Sequence, residues 1–162
     1  MQKELKISFQ HFIEKFPEIE LPVIFTDESA IEFSKNNDPL PSQMIHQFID
    51  DQEDDFTEYI ACIRIPKTHD FHAIIYWKAA LMNYHYVLAT YDKKGKLIDK
   101  SVIAGTYSDG KSLTKSVATI DEDWIIYIVS GQTAADAPSY NATTSNAFNL
   151  ELLATGEIIT NT

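Results

Sequence analysis

The first apolar residues of the chain recur at helical spacing. Intervals of three and four residues place them on one face of a helix, and Pro17 cannot continue that helix because it lacks a backbone N–H. The pattern therefore predicts an amphipathic helix over residues 3–15. The apolar residues on its predicted face are Leu5, Phe9, Phe12, Ile13 and Phe16.

The next segment favours extended chain and then a second helix. Apolar residues alternate from Ile19 to Phe25, and Pro22 within this stretch cannot donate to an interior ladder, so we expect a short segment at a sheet edge. The Asn-Asn-Asp-Pro-Leu-Pro run at 36–41 predicts a turn. A second short helix is predicted over 42–49, where apolar residues again share a face.

From Glu58 onward apolar and polar residues alternate with a period of two, which is typical of β-strands. The connections between these stretches are too short for parallel crossovers, so each strand is expected to pair antiparallel with the next. The predicted strands are 58–65, 71–81, 84–92, 96–105, 113–120, 124–130 and 146–154, with 157–160 as an optional last strand.

These elements predict an α+β fold that consists mainly of an antiparallel β-meander of about seven or eight strands, curved or partly closed. The N-terminal helix and the second short helix are expected to pack on it. Bulky residues on both faces of the strand 71–81 indicate that part of it is covered on both sides. We expect one domain over 1–162, with an acidic helical part over 1–57 and the meander over 58–162.

Charge is concentrated at the N-terminal end. The chain holds 13 Lys and Arg against 24 Asp and Glu, and residues 1–58 carry 14 of the acidic and 4 of the basic side chains. Binding to nucleic acid or to an anionic membrane surface needs basic patches, so neither is expected. An acidic face can instead steer a basic protein partner toward the chain.

The single cysteine and the hydropathy limit other classes. Cys62 is the only cysteine, which excludes an intrachain disulfide and a multi-cysteine zinc site, and its strand pattern predicts a buried thiol. The longest apolar run, Trp124 to Val129, is far shorter than the roughly 20 residues of a membrane span. We expect a cytoplasmic protein; the alternative is export with the leader already removed.

Signatures of catalysis and of cofactor binding are missing. The glycines never reach the spacing of a dinucleotide fingerprint or a phosphate loop, and no Gly-x-Ser-x-Gly elbow occurs. We therefore expect a binding protein rather than an enzyme, and we expect no cofactor.

One local cluster has the residue types of a metal site. His69, Asp70 and His72 supply imidazole and carboxylate, which transition metals prefer. If a strand begins at 71, His72 and Asp70 point to one side and His69 lies in the loop, so His85 or His46 would have to complete the site. The alternative is a solvated entrance to a hairpin.

Two further groups are candidate binding residues. The acidic run at 50–55 could hold a cation or contact a basic partner, although it lacks the glycine turn of an EF-hand loop and could equally be a solvated loop. Its carboxylates are Asp50, Asp51, Glu53, Asp54 and Asp55. The aromatic residues Trp77, Tyr84 and Tyr86 could form a binding face, or they could pack in the core. The long polar segment 130–146 could also be functional.

The segment from Tyr86 to Asp99 ends a strand in Tyr-Asp, turns through Gly95 and resumes with Leu-Ile-Asp. It resembles a hairpin of uncharacterised small bacterial β-meander proteins that share the pattern Tyr-Asp-x-x-Gly-Lys-Leu-Ile-Asp. The segments 116–128 and 16–22 are similar to the same group. The resemblance implies no activity and no functional residue.

Together these patterns favour a non-enzymatic binding or interaction protein of unknown specificity that uses an acidic face toward a basic protein partner. The alternative is a metal-assisted hydrolase, or a small-molecule binder, with its site at the hairpin ends near His69 and His72. The oligomeric state is left open by the sequence.

Overall fold

Antiparallel pairing between consecutive strands organises the fold. The structure is a computed structural model, and it describes residues 6–49, 56–81, 83–134 and 145–161. Each strand from β2 to β8 pairs with the next one along the chain, so the predicted meander is confirmed. The strands are β1 (Val23–Phe25), β2 (Glu58–Arg64), β3 (Phe71–Ala80), β4 (Asn83–Asp92), β5 (Leu97–Ser108), β6 (Ser112–Ile120), β7 (Ile125–Ala134), β8 (Asn146–Leu152) and β9 (Ile158–Asn161).

In the described part of the chain the sheet has nine strands, because β1 joins it out of sequence order. Strand β5 pairs with β6 only where Gly105 to Ser108 meet Leu113 to Ser116. Beyond that point β1 takes the place beside β6, pairing Val23 with Ile120. The expected edge segment is therefore a strand, and it pairs with a distant part of the meander.

The sheet curves back on itself without closing into a barrel. Strands β5 and β9 stand four positions apart in the strand order, yet the backbone N–H of Ile158 donates to Oδ2 of Asp99 over 2.9 Å. Strand β7 also extends beyond its predicted end at Ser130, since Gly131 to Ala134 continue it, so residues 130–134 of the predicted polar segment 130–146 are not a loop.

Three helical segments of the described chain accompany the sheet. Helix α1 covers Phe9–Ile13, so the predicted helix over 3–15 was too long within the described residues, and its residues 3–5 lie outside them. Ser8 caps the N-terminus of α1 by accepting from the backbone N–H of His11. Helix α3 (Ser42–Met44) continues as a π-helical segment (Ile45–Ile49), which confirms the predicted element at 42–49 in a different helical form.

The sequence interpretation missed helix α2 (Asp27–Asn36). Thr26 and Ser29 form a reciprocal capping box at its start, and Asp27 and Glu28 in its first turn favour the positive end of the helix dipole. Its apolar anchors are few, with Ala30 buried and Phe33 half-buried, so the apolar periodicity over this stretch is weak.

Strand β3 separates two apolar clusters, which confirms the expected cover on both of its sides. On one side Phe71, Ile75 and Trp77 join the larger cluster, to which strands β2 to β8 all contribute. On the other side Ile74 and Tyr76 pack with the residues of α1 and of the π-helical segment. The smaller cluster is rich in rings: Phe12 stacks on Phe48 with centroids 4.7 Å apart.

The free edge of β2 is covered by the N-terminal segment. The carbonyl oxygen of Pro17 accepts from the backbone N–H of Arg64 over 2.8 Å, and the N–H of Leu40 donates to the carbonyl of Tyr59 over 2.7 Å. Residues 6–49 are thereby tied to the sheet by backbone bonds as well as by burial. No described helix has the length and apolar character needed to cross a bilayer.

Candidate functional site

A pocket forms where the chain enters β1 and leaves β6. Because β1 and β6 run antiparallel with Val23 opposite Ile120, the residues before β1 lie beside those after β6. A parallel bridge between Glu18 and Arg64 brings the turn after β2 to the same place. Three stretches that are remote in sequence thus surround one cavity of about 620 Å³.

The pocket is strongly acidic. Four carboxylate side chains and one lysine line it, together with an indole and two smaller apolar side chains. Glu18 also forms an ion pair with Arg64, with 3.7 Å between Nη2 and Oε2, so one of the four carboxylates has a partner of opposite charge in the chain. The lining residues are Glu18, Glu20, Leu21, Pro66, Lys67, Glu122, Asp123 and Trp124.

The β6–β7 turn holds its side of the pocket rigidly. Oδ1 of Asp121 accepts from the backbone N–H groups of Asp123 and Ile125 over 2.9 and 3.0 Å. Trp124 is fixed from both sides, since its N–H donates to the carbonyl of Asp121 and its carbonyl accepts from Leu152. The turn therefore presents Glu122, Asp123 and the indole in a defined arrangement.

Backbone conformation adds to the case for this site. Lys67 and Trp124, with φ of 66° and 65°, are the non-glycine residues of the described chain that adopt positive φ, and both line the pocket. Such conformations are costly for residues with a Cβ and concentrate at functional sites. The Trp124 ring also meets Phe71 edge-on, with centroids 5.8 Å apart, so the larger core supports it.

The predicted metal cluster is split by the strand boundary. His69 and Asp70 lie exposed in the turn before β3, whereas His72 is half-buried on β3, where its ring meets Phe9 edge-on at 5.6 Å. Burial lowers the pKa of His72, and the positive charges of Arg64 and Lys93 lower it further. The positive charges of Arg64 and Lys93 would repel a metal cation at His72 for the same reason that they disfavour protonation of its ring.

The other two candidate histidines are placed elsewhere. His46 is exposed on the π-helical segment, and His85 lies on β4, where burial and the charge of Lys78 lower its pKa. His85 lines a groove of about 140 Å³ together with Gly105 and Phe148. Within the described ranges, no three His, Cys, Asp or Glu side chains converge in a way that could hold a metal ion.

The three candidate aromatic residues lie close together but differ in exposure. Trp77 and Tyr86 are buried in the larger cluster with ring centroids 4.6 Å apart, and the Tyr86 hydroxyl donates to the carbonyl of Thr26 over 2.7 Å. Tyr84 stacks on Trp77 at 6.0 Å and is 43% exposed, so it is the member of this group with a substantial surface.

The acidic run Asp50, Asp51, Glu53, Asp54 and Asp55 lies outside the described residues, as does 135–144 of the predicted polar segment. The sequence interpretation treated residues 121–123 as a simple connection and assigned no role to Glu18 and Glu20. A local pattern cannot reveal this pocket, because it depends on the pairing of β1 with β6. The signal in the sequence that could have indicated the pocket was the run of acidic residues in each segment, 18–20 and 121–123.

Comparison of the chain with protein-family models, with curated proteins and with solved structures found no match. The resemblance of the hairpin around Gly95 to small bacterial β-meander proteins therefore stays a prediction. Function is accordingly inferred from the geometry and chemistry of the pocket.

Proposed function

We propose that this chain is a non-enzymatic binding protein that accepts a basic side chain of a protein partner in the acidic pocket. One observation carries the proposal: four carboxylates and the indole of Trp124 converge on a cavity whose lining includes one lysine, and Arg64 beside it pairs with Glu18. A guanidinium or ammonium group would gain ion pairs from the carboxylates and a cation–π contact from the indole.

The size of the pocket suits such a group. A cavity of about 620 Å³ falls in the range that holds a compact organic ligand, and it exceeds what a bare ion would need. Leu21, Pro66 and Trp124 offer apolar surface to the methylene stem of an arginine or lysine, while the carboxylates offer partners to its charged end.

The charge of the whole chain supports the same class of partner. Glu18 and Glu20 belong to the N-terminal part that holds most of the excess negative charge. A field of one sign around a concave site raises the association rate of an oppositely charged protein, and salt screens that effect. Binding should therefore weaken as ionic strength rises.

A charge-matched pair of double variants tests the proposal. The probe is a short fluorescein-labelled oligoarginine peptide, followed by fluorescence anisotropy at low and at high salt. Glu122→Gln with Asp123→Asn removes two pocket carboxylates, and Glu14→Gln with Glu32→Gln removes two exposed carboxylates outside the pocket. Both double variants change the net charge equally, so only the position of the lost charges differs.

We expect the pocket variant to weaken peptide binding about tenfold, since removing one partner of a close charge pair costs more than 1 kcal/mol. The control variant should bind within about a factor of two of the wild type, because exposed charges at a distance are screened. If both double variants lost the same peptide affinity, the net charge of the chain would explain the binding without the pocket, and the proposal would be overturned. No binding by the wild type at low salt would overturn it as well.

A further inference from the structure

One face of the sheet is largely apolar, and its side chains are exposed among the described residues. Side chains at alternate positions of β6 and β7, and of β1 beside them, point away from the larger core, which holds Ala118, Ile120, Ile126 and Ile128. Val129 and Ile24 on this face are 52% and 58% exposed. We call it the outer face and define it by Ile24, Val117, Thr119, Tyr127 and Val129.

The strand register makes the outer face continuous. Val117 lies opposite Val129, and Thr119 lies between Ile24 and Tyr127 in the pairing. Among the described residues, the smaller cluster joins α1 and the π-helical segment to β2, β3 and β4. Ile24, Val117, Tyr127 and Val129 of the outer face are exposed. Exposed apolar patches that span several strands are typical of protein interfaces.

Charges of opposite sign lie at the two ends of the outer face. Along β6 the residues of this face run Lys115, Val117, Thr119 and then Asp121, whose backbone N–H continues the ladder by donating to the carbonyl of Ile125. The alternation of β6 therefore puts position 121 on the same face as Lys115, Val117 and Thr119. Lys115 and Asp121 are separated by about 20 Å of strand.

We propose that two copies of this chain pack against each other through the outer face. A twofold axis that lies in the interface and crosses the strands at the level of Ala118 exchanges the two ends of the face. It sets Lys115 of one copy against Asp121 of the partner subunit, and Val129 against Tyr127 of the partner subunit.

Charge complementarity selects a second copy as the occupant and also selects its orientation. The crossing axis pairs opposite charges at both ends of the interface, with apolar side chains between them. An axis along the strands would instead bring the two Lys115 side chains together, which is unfavourable. Lys115 forms an exposed ion pair with Asp27, with 3.7 Å between Nζ and Oδ2. Because an exposed ion pair contributes little free energy, Lys115 can leave Asp27 for a carboxylate of the second copy at little cost.

Analytical ultracentrifugation of the full chain tests the proposal. Val129→Lys places a charge at the centre of the outer face, and Ile31→Lys places the same charge on α2 at a side chain of similar exposure, 57%. We expect wild type and Ile31→Lys to sediment as dimers and Val129→Lys as a monomer, at concentrations up to about 100 µM. Circular dichroism melts establish that each variant is folded.

Variants of Lys115 test the electrostatic part without disturbing the core. Lys115→Glu should weaken the dimer at low salt, and high salt should restore much of the loss because it screens the new repulsion. Lys115→Gln, which also loses the contact with Asp27, should respond less to salt. A monomeric wild type would overturn the proposal. So would a dimer that survives Val129→Lys, a dimer that Ile31→Lys disrupts, or a dimer on which Lys115→Glu has no effect.

Discussion

The hydroxyl of Thr90 donates a 2.6 Å hydrogen bond to the carbonyl oxygen of Gly156, a residue 66 positions further along the chain. The same hydroxyl accepts from the backbone N–H of Asp99, where the pairing of β4 with β5 shifts by one residue. Thr90 is the fully buried polar side chain of the described core, and it joins β4, β5 and the β8–β9 turn. This hydrogen bond and the one between Ile158 and Asp99 join β4 and β5 to the β8–β9 end of the curved sheet.

Replacing Thr90 by valine should destabilise the fold. The substitution keeps the shape of the side chain but leaves the Gly156 carbonyl and the Asp99 N–H without their partner, at a cost of about 1–3 kcal/mol. Urea unfolding followed by tryptophan fluorescence measures the loss. Thr160→Val, at an exposed threonine of β9, is the control and should change the free energy of unfolding little. Similar losses in the two variants would contradict the role assigned to Thr90.

Glycine is required at position 105 for a reason that Gly110 does not share. Both residues have positive φ, but a Cβ at Gly105 would overlap the carbonyl oxygen of Tyr84, whereas a Cβ at Gly110 would meet nothing within 4 Å. Gly105→Ala should therefore cost about 3 kcal/mol or more, from backbone strain and overpacking together. Gly110→Ala should cost about 1 kcal/mol, from the left-handed conformation alone. Equal urea midpoints for the two variants would contradict this account.

Stability should fall below neutral pH in part because of His72. Burial, followed by the charges of Arg64 and Lys93, lowers the pKa of His72 in the folded chain, so the folded state favours the neutral ring. Between the pKa of the unfolded chain, 6.5, and the lower pKa of the folded chain, the unfolded state binds more protons. The stabilisation is thus complete above that window and is lost as the pH falls through it.

Chemical unfolding at about pH 5 and about pH 7 measures this dependence, since the slope of stability against pH reports the difference in bound protons. His72→Gln should reduce the difference in free energy of unfolding between the two pH values. A further His85→Gln substitution should reduce it again, because burial and Lys78 lower the pKa of His85 too. A pH dependence unchanged by both substitutions would rule out this contribution.

Cys62 should not react with thiol reagents while the chain is folded. The side chain is fully buried on β2, its thiol donates to the carbonyl of Ile60 over 3.6 Å, and burial raises its pKa above the ordinary value. The thiolate that would attack a disulfide reagent is therefore scarce as well as inaccessible. Reaction with a chromogenic disulfide should be slow in buffer and complete within mixing time in denaturant. Rapid labelling of the native chain would contradict the buried position.

The meander could be predicted because each of its determinants is local. Alternation of apolar and polar residues marks a strand, and a short turn leaves only an antiparallel neighbour as a partner. The strands from Glu58 onward are explained by these two facts. Strand β1 is not, since Val23–Phe25 pairs with β6 through contacts that no local pattern records. Helix α2 escaped because its apolar face is small, although the Thr26 and Ser29 capping pair was readable.

Only the negative charge of the pocket could be predicted from the sequence, and its position could not. An excess of carboxylates in the N-terminal part was visible from composition, and it favoured a basic partner. Which carboxylates converge depends on β1 lying beside β6, and this pairing joins Glu20 to the turn that holds Asp123. Trp77 and Tyr86 drew attention as aromatic residues, but their environment is core packing, which residue type alone cannot distinguish from a binding face.

The pairing of β1 with β6 has a thermodynamic consequence. Because the walls of the acidic pocket come together only when that pairing forms, a cationic group bound there would select the folded chain and raise its free energy of unfolding. Amide hydrogens of the N-terminal segment and of the β6–β7 turn would then exchange more slowly as one unit, although the two segments are remote in sequence. Ligand occupancy and the docking of the first strand would behave as a single linked equilibrium.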